Sequence, residues 1–341
     1  MFDTFCTLPP IFVRVKIGLS DKIFQADPRE FESLALEVFR FQADQLPVYR
    51  DFISHLNRDP EAIRSIEDIP FLPISFFKSH DVVCGGGHPE ITFSSSGTTG
   101  IATSRHLVTD VQVYERSFLE GFRRFYGDIS EYCILALLPS YLEREGSSLI
   151  YMADRLIRES GDERSGFFLY EHGVLSETLH LLKREGRKTL LIGVTYALLD
   201  FVDQYRMEFP ELIVMETGGM KGKRPEMLRE ELHERLGAGF GVPAIHSEYG
   251  MTELLSQAYS KGRGIFATPS WMQVRIRDTN DPLTLLADGK TGGLNIIDLA
   301  NLNSCAFIAT QDLGRRFPDG SFEVLGRFDN SDIRGCNLLV Q

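Results

Sequence analysis

The spacing of apolar and polar positions divides the chain into three stretches of different character. In the first, up to about residue 90, apolar positions recur with a helical period. Phe31, Leu34, Ala35, Val38 and Phe39 fall on one face. Asp27-Pro28-Arg29-Glu30, just ahead of them, is a helix start with a capping residue, a proline in the first turn and an acid after it. Asp68-Ile69-Pro70-Phe71-Leu72-Pro73 then breaks the regularity, because each proline pushes its predecessor toward extended backbone. Phe76 and Phe77 read as core aromatics ahead of Lys78.

In the second stretch short apolar runs alternate with amphipathic ones. Asp110 to Phe125 predicts a helix capped by Thr109 or Asp110. Residues 133–138 form a continuous apolar run, the mark of a buried parallel strand. Helices over 149–157 and 174–183, a strand over 189–192, a helix over 196–205 and a strand over 212–215 follow. Pro225 opens a helix that Gly237 closes, and a strand over 244–246 runs into Glu248-Tyr249-Gly250-Met251-Thr252-Glu253. This alternation predicts a mainly parallel sheet covered on both faces by helices. In the third stretch Met272, Val274 and Ile276 alternate with polar residues, a half-buried strand. Asp288-Gly289 and Gly292-Gly293 read as turns before a strand over 294–297. Asp319-Gly320 reads as a hairpin between Arg316 and Phe322. The expected architecture is α/β: a helical segment (1–90) packed on the main domain, an α/β core (91–265), and a β-rich subdomain (266–341) forming an antiparallel meander or small barrel.

Composition narrows the classes. With 36 basic and 48 acidic residues the net charge is −12, which argues against a general nucleic-acid or anionic-membrane binder. No apolar run approaches the length of a membrane span, and Met1 to Pro10 lacks the layout of a signal peptide. Cys6, Cys84, Cys133, Cys305 and Cys336 are scattered without a C-x-x-C pair, as expected of reduced thiols in a cytoplasmic protein.

The chemistry concentrates in a few stretches. Phe93-Ser94-Ser95-Ser96-Gly97-Thr98-Thr99-Gly100 packs five hydroxyls and two glycines into eight residues. Hydroxyls with free N–H groups can ring a phosphate, although the same composition also makes an ordinary loop. It is not a P-loop, since no Lys follows Gly100. Thr217-Gly218-Gly219-Met220 sits just past a predicted strand, where ligands gather in open α/β sheets. Residues 248–253, Thr310-Gln311-Asp312 and Gly326-Arg327-Phe328-Asp329 complete the set. Taken singly, Glu253 reads as a solvated helix carboxylate, Asp312 as a turn residue and Tyr249 as packing.

Together, their order and spacing resemble the adenylate-forming superfamily of acyl-CoA synthetases, peptide-synthetase adenylation domains and luciferases. Ser95 to Gly100 matches its phosphate loop and Tyr249-Gly250-Met251-Thr252-Glu253 its nucleotide motif. Thr310-Gln311-Asp312 matches its T-G-D, with Gln for Gly, and Gly326-Arg327-x-Asp329 its hinge. The likeness is closer still to the acyl-protein synthetases of the bacterial luminescence fatty-acid reductase system. It runs through residues 70–78, 94–100, 138–143 and 333–338, nearly the whole chain.

The resemblance implies attack of a carboxylate, of a fatty or other apolar acid, on the α-phosphorus of ATP, giving an acyl-adenylate and pyrophosphate. Ser94, Ser95, Ser96, Gly97, Thr98, Thr99 and Gly100 would hold the β- and γ-phosphates, and Glu253 would help hold Mg2+. Tyr249 would lie against adenine, with Gly218, Gly219 and Met220 beside it and Gly250, Met251 and Thr252 completing the motif. Asp312 would accept from the ribose hydroxyls, and Arg327 would add a cation. The superfamily often has Lys at the position of Thr103; Arg105 or His106 would supply that charge. It also carries a C-terminal lid domain with a catalytic Lys, which this sequence is expected to lack. Cys336, in an Arg-Gly-Cys context, would take the acyl group as a thiolate and pass it to a reductase, unless CoA or an acyl carrier protein is the acceptor. The alternatives are a catalytically weakened nucleotide-binding partner of an acyl-reductase complex, a CoA ligase for another acid, and an unrelated phosphotransferase.

Overall fold

The fold is that of a computed structural model, which describes residues 11–95, 103–138, 146–218, 224 and 227–327, with side chains from residue 18 onward. Helices α1 (Ile11–Gln25), α2 (Phe31–Gln45) and α3 (Pro47–His55) form the N-terminal segment. The expected helix start is a full capping box. Arg29 N donates to the Asp27 carboxylate at 2.9 Å and Asp27 N to the Glu30 carboxylate at 3.1 Å, on a short 3-10 turn that leads into α2. The apolar face of α2 is buried as its period requires, and Gln42 is buried with it. Its amide donates to Asn301 O (2.9 Å) and Leu302 O (3.1 Å) and accepts from Ala306 N (3.0 Å), which ties α2 to the C-terminal stretch. Strand β1 (Leu72–Pro73) and the single turn α4 (Phe76–Ser79) follow.

Strands β2 (Ile91–Ser94) and β3 (Arg105–Val108) pair as an antiparallel hairpin around the hydroxyl run, whose residues 96–102 lie outside the described ones. Helix α5 (Val111–Tyr126) departs from expectation at its start. Asp110 occupies the cap position but makes no capping bond, and Val111 N donates instead to the Glu90 carboxylate at 2.9 Å.

The main sheet comprises β4 (Cys133–Leu137), β5 (Gly166–Phe167), β6 (Thr189–Val194), β7 (Ile213–Thr217), β8 (His246–Tyr249) and β9 (Ala258–Ser260), in the order β5-β4-β6-β7-β8-β9. All its pairs are parallel except β8 with β9. Helices α6 (Ser148–Ser160), α7 (His172–Glu185), α8 (Thr195–Gln204) and α9 (Arg229–Phe240) lie between its strands in sequence. Every residue of β4 and β6 is buried, as their unbroken apolar runs require. Two predicted boundaries move. Helix α9 ends at Gly241, left-handed at φ 65°, with Gly237 inside it; Pro225 lies outside the described residues. Strand β8 runs on to Tyr249, because Glu248 pairs with Thr217 on one side and Tyr259 on the other.

The C-terminal sheet holds β10 (Ile265–Phe266), β11 (Met272–Arg277), β12 (Leu285–Leu286), β13 (Thr291–Asp298), β14 (Phe307–Arg316) and β15 (Phe322–Arg327), in the order β10-β15-β14-β13-β11-β12. It is antiparallel throughout, except that β1 joins β14 in parallel. The Asp319-Gly320 turn forms as predicted, with Gly320 at φ 86°. Gly292 and Gly293, by contrast, lie within β13, where a Cβ would come 2.3 Å from Arg277 O and 2.5 Å from Arg277 Cζ respectively. They make room for a buried arginine and form no turn. Cys84, Cys133 and Cys305 are buried and in no disulfide, whereas Cys6 and Cys336 lie outside the described residues. Among the described residues no helix is long and apolar enough to cross a membrane.

Candidate functional site

The two sheets meet where β8 ends. Tyr249, the last residue of β8, sets its ring edge-on against Phe266 (centroids 5.9 Å) and Phe322 (5.5 Å) of the C-terminal sheet. Its hydroxyl donates to Asp312 Oδ2 at 2.7 Å. Burial and the neighbouring Asp312 carboxylate push the phenol well above the ordinary tyrosine range, so it stays a donor. Asp312 on β14 is the cross-strand partner of Arg327 on β15, whose Nε lies 3.5 Å from Asp312 Oδ1. The arginine side chain is 65% exposed and the aspartate 14%, so the cation stands at the surface over a largely buried carboxylate. A carboxylate oxygen accepts more than one hydrogen bond. Asp312 therefore keeps acceptor capacity for a pair of hydroxyls.

Arg277, which the sequence reading passed over, lies beneath. Its Nη1 donates to Leu294 O (2.8 Å) and Asn295 Oδ1 (2.9 Å), and its Nη2 to Thr310 O. The Thr310 hydroxyl donates to Leu294 O (2.9 Å) and accepts from Asp312 N (3.1 Å), fixing the backbone that presents Asp312. Burial lowers the Arg277 pKa to about 10, which leaves it charged at neutral pH. The signal available in sequence was the glycine pair facing it, which reads as a turn when no partner is known.

Glu253 is buried, 6% exposed, and lies in no helix. Desolvation raises its pKa, opposed by hydrogen bonds from Ser104 and its own backbone and by the charges of Arg327 and Lys78. Ser104 also closes the base of the hydroxyl run. Its N–H donates to Ser95 Oγ at 2.9 Å, and Ser95 N donates to Ser104 O at 3.0 Å. Ser94 N donates to Gly146 O at 2.8 Å. Ser94 and Ser95 thus stand at the mouth of the run, and Ser96, Gly97, Thr98, Thr99 and Gly100 fall outside the described residues.

His106 lies between hairpin and motif. Nδ1 is 2.9 Å from Thr252 O and Nε2 is 2.8 Å from Ser304 Oγ. A carbonyl only accepts, so Nδ1 carries the proton and Nε2 accepts from the Ser304 hydroxyl. Burial pushes the imidazole pKa down to about 4. It is neutral at pH 7 and cannot supply the positive charge that Thr103 lacks. Arg105 points to the other side of the strand. Its Nη2 is 2.8 Å from Asp81 Oδ1, in an exposed pair. Asp81 in turn lines a cleft of about 600 Å3 with Val48, Phe52 and Phe76, of which only Phe76 falls in a stretch that carries the family likeness.

At the sheet's carboxyl edge Gly218 is left-handed at φ 78°; Gly219 and Met220 are outside the described residues. A Cβ at Gly250 would come 2.4 Å from Glu248 Oε1, so a larger residue in the turn out of β8 would displace that carboxylate. Thr217 Oγ1 donates to Glu248 Oε2 at 2.6 Å. Met251 and Thr252 carry the chain from that turn to Glu253. Among the described residues no group of three or more His, Cys, Asp or Glu could hold a metal ion. A lone buried carboxylate does fit Mg2+ of the kind held by one or two protein oxygens plus phosphates and water.

No family model matches the chain. It is similar to the long-chain-fatty-acid–luciferin-component ligase of Aliivibrio fischeri, with 23% identity over 357 residues, 94% of this chain and 92% of that protein. In fold it is similar to 2-hydroxyisobutyryl-CoA ligase in the postadenylation state, with a TM-score of 0.63 and 12% identity over 91% of this chain and 70% of that one. It is also similar to ATP-bound MatB from Rhodopseudomonas palustris, with a TM-score of 0.53 and 17% identity over 71% of this chain. The match spans about half the length of the MatB chain, 49%.

Proposed function

We propose that this chain, which has the fold of adenylate-forming acid ligases, activates a carboxylic acid with ATP and transfers the acyl group to a thiol. The observation that carries the reading is the gathering of Tyr249, Asp312 and Arg327 on one side and Glu253 with the hydroxyl-run hairpin on the other. In the reaction a carboxylate oxygen attacks the α-phosphorus, the bond to the bridging oxygen breaks, and pyrophosphate leaves. Both reactants are anions, so the site must hold them in line and neutralise them. Asp312 takes the ribose hydroxyls, braced by the Tyr249 hydroxyl and by Arg277 under Thr310. Arg327 adds positive charge at the same edge. Ser94 and Ser95 begin the phosphate-binding run, which is clamped at its base by Ser104. Bound Mg2+, held by Glu253, would offset charge on the phosphates. Likeness to the luciferin-component ligase favours a fatty acid as substrate, and Cys336 is the candidate thiol within the chain.

ATP–pyrophosphate exchange with a panel of acids, on wild type and Glu253→Ala, tests this. Acid-dependent exchange that falls by about a hundredfold or more in the variant would support it, and labelled acid could then be followed onto Cys336. Release of ADP in place of AMP would point to a phosphotransferase. ATP binding without exchange for any acid would favour the weakened nucleotide-binding partner, a reading supported by Thr103.

A further inference from the structure

Residues 72–81 belong to none of the nucleotide motifs, yet they bridge the two halves of the site. On one side β1 pairs with β14, Pro73 opposite Ala309, and Ile74 N donates to Ala309 O at 2.9 Å, immediately before Thr310-Gln311-Asp312. On the other, buried Phe77 meets the His106 ring edge-on with centroids 5.5 Å apart. That imidazole holds Thr252 O, next to Glu253. Asp81 then pairs with Arg105 of β3. The turn α4 is therefore fixed both to the strand that presents Asp312 and to the hairpin of the hydroxyl run.

Lys78 is the side chain of this turn left without a structural task. It is exposed and makes no ion pair or hydrogen bond among the described residues. Its ammonium nevertheless reaches the buried Glu253 carboxylate electrostatically, as does Arg327. The other cations near the site are engaged: Arg105 with Asp81, Arg229 with Glu216, and Arg277 with backbone carbonyls and Asn295. Three carboxylates stand at the site, buried Glu253 and Glu248 and Asp312, and Arg327 is already set against Asp312. A polyanion entering it needs a cation that no carboxylate has already claimed. A lysine on a short rigid turn suits that task, because its compact ammonium binds phosphate as a point charge.

We propose that Lys78 is a substrate-contacting residue of this site, its ammonium binding the β,γ-phosphate end of a nucleoside triphosphate that approaches Glu253. The inference rests on the adenylating reading above and adds a residue to it. The test compares the full-length wild type with Lys78→Gln, Lys78→Arg and, as an exposed control remote from the motifs, Lys290→Gln. The affinities for Mg-ATP and for AMP are measured by calorimetry, together with the KM for ATP in pyrophosphate exchange. Lys78→Gln is expected to weaken ATP binding and raise the KM for ATP by about tenfold. AMP affinity and thermal midpoint should stay at wild-type values, because AMP lacks the phosphates concerned. Lys78→Arg should recover most of the loss, and Lys290→Gln should match wild type. Wild-type ATP affinity in Lys78→Gln, or an equal loss for ATP and AMP, would overturn the assignment while leaving adenylation intact. A wild type that neither binds ATP nor exchanges would overturn both.

Discussion

At the residue scale the Tyr249–Asp312 hydrogen bond is the point where the two sheets share a functional group. A buried phenol donating to a carboxylate is a charge-assisted bond, worth more than a neutral one. Tyr249→Phe keeps the edge-on contacts with Phe266 and Phe322 and removes only that bond. Asp312 would then lose its brace and find other donors, water or Arg327 among them. The variant should lose about 1–2 kcal/mol of stability in urea denaturation and raise the KM for ATP more than it lowers kcat. An unchanged KM would mean that Asp312 is held by Arg277 and Thr310 alone and that the tyrosine serves packing. Singly, neither Tyr249 nor Asp312 has a sequence signature that separates function from packing or turn. Their pairing depends on a contact across 63 positions, which no local pattern encodes.

At the scale of elements the hairpin β2–β3 carries the hydroxyl run, and His106 is the pin that couples it to Thr252. An unfolded chain takes up a proton on this histidine near pH 6.5, whereas the folded protein resists it until about pH 4. Between those values the unfolded state binds more protons, so the stability His106 contributes is present above pH 6.5 and drains away as the pH falls. His106→Gln does not titrate. The gap in unfolding free energy between wild type and variant should therefore narrow from pH 7 to pH 4, by on the order of 3 kcal/mol. A gap that stays constant would show the imidazole to be solvated in the native state. The elements themselves were largely legible in the sequence, since the buried strands β4 and β6 and the helices α2, α5 and α6 follow directly from apolar period. What misled was glycine punctuation. Gly237 lies inside α9, and Gly292-Gly293 lies inside β13, because tertiary neighbours set the demand for a missing side chain. The roles of Ser104 and His106 were not legible either, as each depends on which face of the hairpin packs against Thr252 and Glu253.

At the scale of the whole molecule the parallel core and the antiparallel sheet are joined just behind the candidate site by Asp298, at the end of β13. Its Oδ2 accepts from Leu255 N (3.0 Å) and Ser256 N (2.9 Å), and its Oδ1 from Ser256 Oγ (2.6 Å) and Ala300 N (3.1 Å). Ser256 Oγ also meets Ser117 Oγ of α5 at 2.9 Å and accepts from Trp271 Nε1 at 3.0 Å. Asn301 adds a bond from its side-chain amide to Glu253 O at 2.8 Å. The segment just after Glu253 is thus anchored to the second sheet by a buried carboxylate. Desolvation raises that acid to about pH 6, with the four donated hydrogen bonds pulling the other way. A raised acid contributes stability that is complete below its unfolded value near 4 and is lost as the pH climbs through 6. Asp298→Asn turns an amide N–H toward donors that need an acceptor, so it should destabilise at every pH. The gap from wild type should be widest at pH 4 and narrow toward pH 7 by on the order of 3 kcal/mol, the reverse of the His106→Gln trend. Urea denaturation of both variants at matched pH values provides the check. If the Asp298→Asn gap instead widened with rising pH, the four donors would outweigh burial, and the joint between the sheets would be held by an anion that favours the ionised, neutral-pH form of the fold.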